Sequence, residues 1–319
     1  MLRIAILDDY QNVAQSLADW SQVGPDAEVV SFNRNLATID EAAKALADFD
    51  VISIMRERMP FGRAIIERLP KLKLVISTGP RNRSLDSTAC RERGIVACFT
   101  RQGEKIPPTL EIATTLLLGA SRNVFREDRA MREGRWQDGL GKALSGGTLG
   151  LLGLGNLGKG MARIGKAFGM DIVAWSQNLT PEKAAEGGAT WVSKEDLFRR
   201  ADAISVHLIL SDRTRGLVGA DDFARMKPSG IFVNTSRGPI VQESALIHAL
   251  KSGQIRAAGL DVYDVEPLPV DHPFRSMDNV VLSPHLGYAT ETNFRAYFAD
   301  TVESIAAWRN GAPVRVIQD

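Results

Sequence analysis

A glycine-rich turn stands near the middle of the chain. Thr148-Leu149-Gly150-Leu151-Leu152 carries the apolar run of a buried parallel strand, and Gly153-Leu154-Gly155-Asn156-Leu157-Gly158 follows as a GxGxxG loop opening a helix over residues 156–168. In that setting Gly153 permits the tight turn, Gly155 lets a pyrophosphate approach the backbone, and Gly158 lets the helix lie close on the strand. Asn156 and Leu157 begin the helix, whose positive end favours a phosphate. So short a glycine pattern arises by chance in many chains, and its context carries the argument. A second strand over Asp171–Trp175 completes a βαβ unit, and Ala203–Leu210 continues the alternation. A dinucleotide fold begins at its glycine loop, so the residues ahead of Leu149 must build a separate domain.

The 319 residues are enough for two domains with their own cores. Thirty-nine basic residues against 38 acidic ones leave a net charge of +1, so no broad field draws in nucleic acid or an anionic membrane. Met1-Leu2-Arg3-Ile4-Ala5-Ile6-Leu7 runs into Asp8-Asp9, unlike a secretory leader, and no apolar stretch approaches membrane-spanning length. Cys90 and Cys98 lack metal or disulfide spacing. The expectation is a cytoplasmic protein with reduced thiols and no metal.

Ahead of the glycine loop, strands are expected over 3–7, 28–32, 51–55, 74–77 and 95–98, with helices over 39–49 and 63–68 between them. Pro107-Pro108 marks a hinge before a long apolar helix over 109–123. Beyond the loop come strands over 230–234, 257–260 and 280–283, a helix over 243–250, and a last helix over 292–308. The expected domains are residues 1–102 with 290–319, binding substrate, and residues 103–289, binding NAD(P). A cleft between them is the expected ligand site.

Three segments lie at predicted strand ends, where open parallel sheets face their ligands. They are Asn234-Thr235-Ser236-Arg237-Gly238, Leu260-Asp261-Val262-Tyr263-Asp264-Val265-Glu266-Pro267 and Ser283-Pro284-His285-Leu286-Gly287. Alone, Arg237 reads as a turn residue, Glu266 as a loop charge and His285 as a loop histidine. Their order downstream of the glycine fingerprint places a guanidinium, a carboxylate and an imidazole beside the nicotinamide, with Thr235 at the cofactor edge. His285 is the proton donor candidate, Glu266 would orient and charge its ring, and Arg237 would hold a substrate carboxylate and carbonyl oxygen. His207, at the end of its predicted strand, is a candidate lining for the adenosine side. His248 reads as a surface residue and His272 as a loop residue without a partner.

These segments resemble the D-isomer-specific 2-hydroxyacid dehydrogenases over nearly the whole chain, including Gly134-Arg135-Trp136 ahead of the fingerprint. The resemblance implies a Rossmann-type doubly wound parallel α/β domain and a second, smaller flavodoxin-like α/β domain formed from both chain ends. It also implies hydride transfer between NAD(P)H and a small 2-oxo acid, glyoxylate or hydroxypyruvate most of all, and a two-fold homodimer. Asp261 matches the family position near the nicotinamide carboxamide. Ser77-Thr78-Gly79-Pro80-Arg81-Asn82-Arg83 stands where the family grips the substrate carboxylate with backbone N–H groups, although Pro80 lacks one. Arg56 and Arg81 join Gly79 and Pro80 as candidate substrate contacts. At Trp175-Ser176-Gln177-Asn178 there is neither the carboxylate that holds a ribose hydroxyl nor an arginine for a 2′-phosphate, so either NAD or NADP is expected. Gln242, where an aspartate is common, is expected to affect local capping. The rival reading is an NAD(H)-sensing binding protein of the corepressor type on the same fold. A methyltransferase or other nucleotide-dependent α/β enzyme fits the ordered residues poorly.

Overall fold

The computed structural model describes residues 1–318. The chain divides into two compact units, Met1–Lys105 with Thr290–Asp319, and Ile106–Ala289. In the first, strands β1 (Leu2–Ile6), β2 (Ala27–Ser31), β3 (Val51–Ile54), β4 (Leu74–Ser77) and β5 (Val96–Phe99) form a parallel sheet in the order β2-β1-β3-β4-β5. This is the flavodoxin-like order. β3 and β4 are buried throughout, in keeping with their largely apolar sequences, and each also buries one serine, Ser53 and Ser77. The C-terminal helix Glu291–Arg309 belongs to this unit. Asn293 Oδ1 accepts the N–H groups of Gly103 (2.9 Å) and Glu104 (3.2 Å), and the buried Asp300 carboxylate accepts the Arg101 N–H (2.7 Å) and its guanidinium.

The second unit holds β6 (Thr148–Leu152), β7 (Asp171–Trp175), β8 (Thr190–Trp191), β9 (Ala203–Val206), β10 (Ile231–Asn234), β11 (Ala257–Leu260) and β12 (Val280–Leu282). They form one seven-stranded parallel sheet in the order β12-β11-β10-β9-β6-β7-β8, doubly wound about β6. Successive strand residues feed opposite cores. Leu149, Leu151, Ile231 and Val233 pack with the Thr109–Arg122 and Asn156–Ala167 helices, whereas Leu152, Ile204, Val206 and Phe232 pack with the helices on the other face. Burial on both faces is why these strands read as continuous apolar runs. The edge strand β8, two residues long, carries no such run and escaped the sequence reading. β9 ends at Val206, four residues short of expectation, because His207–Leu210 leaves the sheet to enter the ligand-side loops.

At the opposite end of this sheet, Asp202 accepts the ammonium groups of Lys142 (2.8 Å) and Lys227 (2.9 Å) and the N–H of Thr148 (2.9 Å). Burial works to raise its pKa, but these contacts outweigh it and hold the carboxyl at about 2 against the ordinary 3.8. A depressed carboxyl pKa contributes stability that is fully present above 3.8 and is lost as pH falls through about 2. Asp202→Asn should therefore forfeit about 2 kcal/mol at pH 7 and roughly half that at pH 3. Urea unfolding of both proteins at the two pH values measures it, and a gap of constant size would remove the electrostatic account.

Candidate active site

The carboxyl ends of the adjacent strands β10, β11 and β12 carry Arg237, Glu266 and His285. After β10, Asn234 sets the turn. Its Oδ1 accepts the Ser236 N–H (3.0 Å) and its Nδ2 donates to the Arg237 carbonyl (3.0 Å), which fixes the backbone that presents Arg237. Arg237 Nη1 donates to the Ser236 carbonyl at 2.7 Å. Gly238 follows because nothing larger fits: a Cβ there would stand 2.1 Å from the Tyr263 carbonyl carbon. That close approach packs the Arg237 turn against the segment leading to Glu266.

Glu266 is held at both oxygens. Oε1 accepts the Tyr263 N–H at 3.0 Å, and Oε2 lies 2.8 Å from His285 Nδ1. An ionised carboxylate only accepts, so Nδ1 carries the proton of that contact. Both side chains are mostly buried, 14% exposed for His285 and 22% for Glu266. His285 has a φ of +56°, a left-handed conformation that costs a non-glycine residue about 1–3 kcal/mol and persists where its surroundings impose it.

Asp261 imposes it. The fully buried carboxylate accepts the N–H groups of Leu286 (2.7 Å) and Gly287 (2.9 Å) and the Ser283 hydroxyl, bracketing His285 on both sides. Thr109 adds a hydrogen bond from its hydroxyl to the Gly287 carbonyl (2.7 Å). Burial raises the Asp261 pKa, against which those hydrogen bonds work. Asp261, expected near the nicotinamide carboxamide, is also the anchor of the histidine turn. No local spacing announces a contact that spans about two dozen residues.

The fingerprint has the shape a dinucleotide needs. Gly153 has a φ of +98°, and a Cβ on Gly158 would stand 2.2 Å from the Gly153 carbonyl oxygen, so the helix begins in contact with the turn. A Cβ on Gly155 would meet nothing within 4 Å, which leaves that face open, and Asn156 beside it is exposed while Leu157 is half-buried. Two polar atoms at neighbouring strand ends, His207 Nδ1 and Thr235 Oγ1, are buried without a hydrogen-bond partner. Native structures rarely tolerate such atoms, and a bound dinucleotide edge is a fitting partner for both. Burial pushes the His207 pKa down to about 4, so its ring is neutral, and Nε2 lies 2.9 Å from Ser205 Oγ.

Four expectations are corrected. The turn after β7 does have an arginine nearby, brought from another segment: Gln177 Nε2 donates to the Arg213 carbonyl (3.2 Å), and Arg213 Nη2 is 3.5 Å from Asn178 Oδ1. In the first unit, the Gly79 N–H donates to Thr100 Oγ1 (2.7 Å) and Pro80 has none, so neither offers a backbone donor to a carboxylate. The Arg56 guanidinium lies against the Gly79 Cα, while Arg81 is exposed. His272 is not partnerless, since Nε2 lies 3.0 Å from Glu243 Oε1. Gln242 makes no side-chain cap; its amide reaches the Gly216 carbonyl (3.1 Å). His248 is exposed, as read.

A doubly wound dinucleotide sheet with an arginine and a carboxylate–imidazole pair at its carboxyl edge defines a class, the nicotinamide-dependent oxidoreductases. The comparisons narrow the class. Residues 114–287 match the family model described as D-isomer specific 2-hydroxyacid dehydrogenase, NAD binding domain. A glyoxylate reductase of Aeropyrum pernix is 39% identical over 77% of this chain and 76% of its own. A hydroxypyruvate reductase of Thermotoga maritima is 36% identical over 83% of this chain and 87% of its own. The crystal structure of a phosphoglycerate oxidoreductase from Vibrio cholerae superposes with a TM-score of 0.90 at 35% identity, covering 98% of this chain and 100% of that one. This chain belongs to the D-isomer-specific 2-hydroxyacid dehydrogenase family, NAD(P)-dependent enzymes acting on CH–OH donors. Among the described residues no helix is long and apolar enough to cross a membrane.

Proposed function

We propose that the chain reduces a small 2-oxo acid of the glyoxylate or hydroxypyruvate type to its D-2-hydroxy acid, with His285 and Glu266 as the proton relay and Arg237 as the substrate-binding cation. The observation that carries this reading is the 2.8 Å contact between His285 Nδ1 and Glu266 Oε2 in a turn fastened by Asp261. When bound, the reduced nicotinamide supplies the hydride that the carbonyl carbon receives. His285 gives a proton from Nε2 to the carbonyl oxygen as that oxygen gains charge, and the Glu266 carboxylate stabilises the imidazolium beforehand. Arg237 holds the substrate carboxylate with its planar fork and offsets the developing charge.

Gly153, Gly155, Asn156, Leu157 and Gly158 are the proposed pyrophosphate site. Ser176, Gln177, Asn178, His207 and Thr235 are the proposed contacts along the dinucleotide, with Asp261 beneath the nicotinamide end. Arg56 and Arg81 remain proposed substrate contacts from the first unit, with side chains in place of the backbone donors, since the Gly79 N–H is committed to Thr100 and Pro80 has none. The substrate class rests on the names of the relatives. A two-fold dimer belongs to the same reading, supported by exposed Val124, Phe125, Met131, Trp136 and Leu140 along one stretch of the second unit.

The test is a rate matrix of 2-oxo acids, including glyoxylate, hydroxypyruvate and pyruvate, against NADH and NADPH, read at the nicotinamide absorbance. Turnover with glyoxylate or hydroxypyruvate is expected. Saturable binding of the dinucleotide with no turnover across the panel would replace the enzyme reading by that of a sensor.

A further inference from the structure

The turn after β7 is where a dinucleotide fold tells a ribose hydroxyl from a 2′-phosphate, because the side chains there lie beside the adenosine ribose. An acidic residue at this point accepts from the hydroxyl and repels the phosphate. This chain has Ser176, Gln177 and Asn178 instead, three neutral hydrogen-bonding side chains that repel neither form. The charge that decides between the forms comes from the loop following β9.

That loop is built to hold its place. Thr214, buried within it, donates from Oγ1 to the Ile209 carbonyl (2.7 Å) and accepts the Ser211 N–H (2.8 Å), while the N–H groups of Thr214 (3.0 Å) and Arg215 (2.9 Å) both donate to the Ser211 carbonyl. Gln177 Nε2 then ties the Arg213 carbonyl to the β7 turn at 3.2 Å. The Arg213 Cα is thus fixed from two sides, and its exposed guanidinium reaches Asn178 Oδ1 at 3.5 Å. At that separation the contact is weak as a hydrogen bond, and its content is placement. Among the described residues no carboxylate pairs with Arg213, although Asp212 is its chain neighbour and is likewise exposed. An uncommitted guanidinium beside two amides and a hydroxyl is a set of donors suited to a phosphate monoester dianion.

We infer that Arg213, acting with Ser176 and Asn178, recognises the 2′-phosphate and makes this chain prefer NADP(H) over NAD(H). The inference rests on the dinucleotide site proposed above and adds the specificity of its adenosine end. On this inference Arg213 sets cofactor choice and takes no part in the proton relay.

Isothermal titration of the purified full-length chain with NADP⁺ and with NAD⁺ tests this without recourse to turnover. The unsubstituted protein should bind NADP⁺ at least about tenfold more tightly, and Arg213→Ala should weaken NADP⁺ by about tenfold or more while leaving NAD⁺ within about twofold. Arg213→Lys, which keeps the charge and loses the fork, should fall between. Raising salt from about 50 to 500 mM should weaken NADP⁺ selectively, since an exposed ion pair is screened. Equal affinity for the two cofactors, or an alanine variant that weakens both alike, would overturn the role of Arg213 while leaving the enzyme reading intact. Failure to bind either would overturn both.

Discussion

Replacing His285 with alanine should lower kcat/KM for 2-oxo acid reduction by about two to four orders of magnitude, the usual contribution of a positioned general acid. Dinucleotide affinity should hardly change. The imidazole is the proton source of the proposed reaction, and its geometry is imposed by a left-handed turn, by Asp261 on the following N–H groups and by Glu266 on Nδ1. Glu266→Gln separates two contributions that the alanine variant removes together. The amide still orients the ring but no longer favours its charged form, so the alkaline limb of the pH–rate profile for reduction should move to lower pH. A His285→Ala enzyme within about threefold of the parent, or a Glu266→Gln profile that stays in place, would dismantle the relay.

Arg237→Ala should reduce kcat/KM by about 10²–10³-fold, the magnitude found when a preorganised charge facing a developing oxyanion is removed. Both parameters should move. KM rises because the substrate carboxylate loses its partner, and kcat falls because the carbonyl oxygen gains charge with nothing to offset it. Arg237→Lys should restore part of the binding and little of the rate, because an ammonium is a point charge without the paired donors of a guanidinium. An alanine variant with raised KM and unchanged kcat would confine Arg237 to binding the carboxylate. Asn234 and Gly238 fix the backbone from which the Arg237 side chain extends.

How much of this was legible before folding varies by residue. The fingerprint at Gly153–Gly158 and the arginine, glutamate and histidine downstream are local signals, each tied to a strand end that apolar runs make visible. Their convergence follows from topology, since β10, β11 and β12 are neighbours with their carboxyl ends on one edge. The partners of those residues were not legible. Asp261 reaches the turn around His285, Glu243 reaches His272, and Thr100 takes the Gly79 N–H, all across loops whose lengths say nothing of where they fold back. β8 was missed because two residues at a sheet edge leave no periodicity to detect.

Arg213 marks the boundary most sharply. The neutral Ser176-Gln177-Asn178 turn can be read directly from the chain, and read alone it leaves the cofactor undecided. Only the folding of the Ser211–Gly216 loop against that turn brings a guanidinium to Asn178. Sequence by itself determined the layering of strands and helices, the dinucleotide loop and the order of arginine, glutamate and histidine at the strand ends, because these depend on patterns a few residues long. Tertiary structure alone decided which buried carboxylate fastens the turn around His285 and which cation stands beside the turn after β7. Contacts between distant segments depend on how loops close, and loop closure leaves no trace in local spacing.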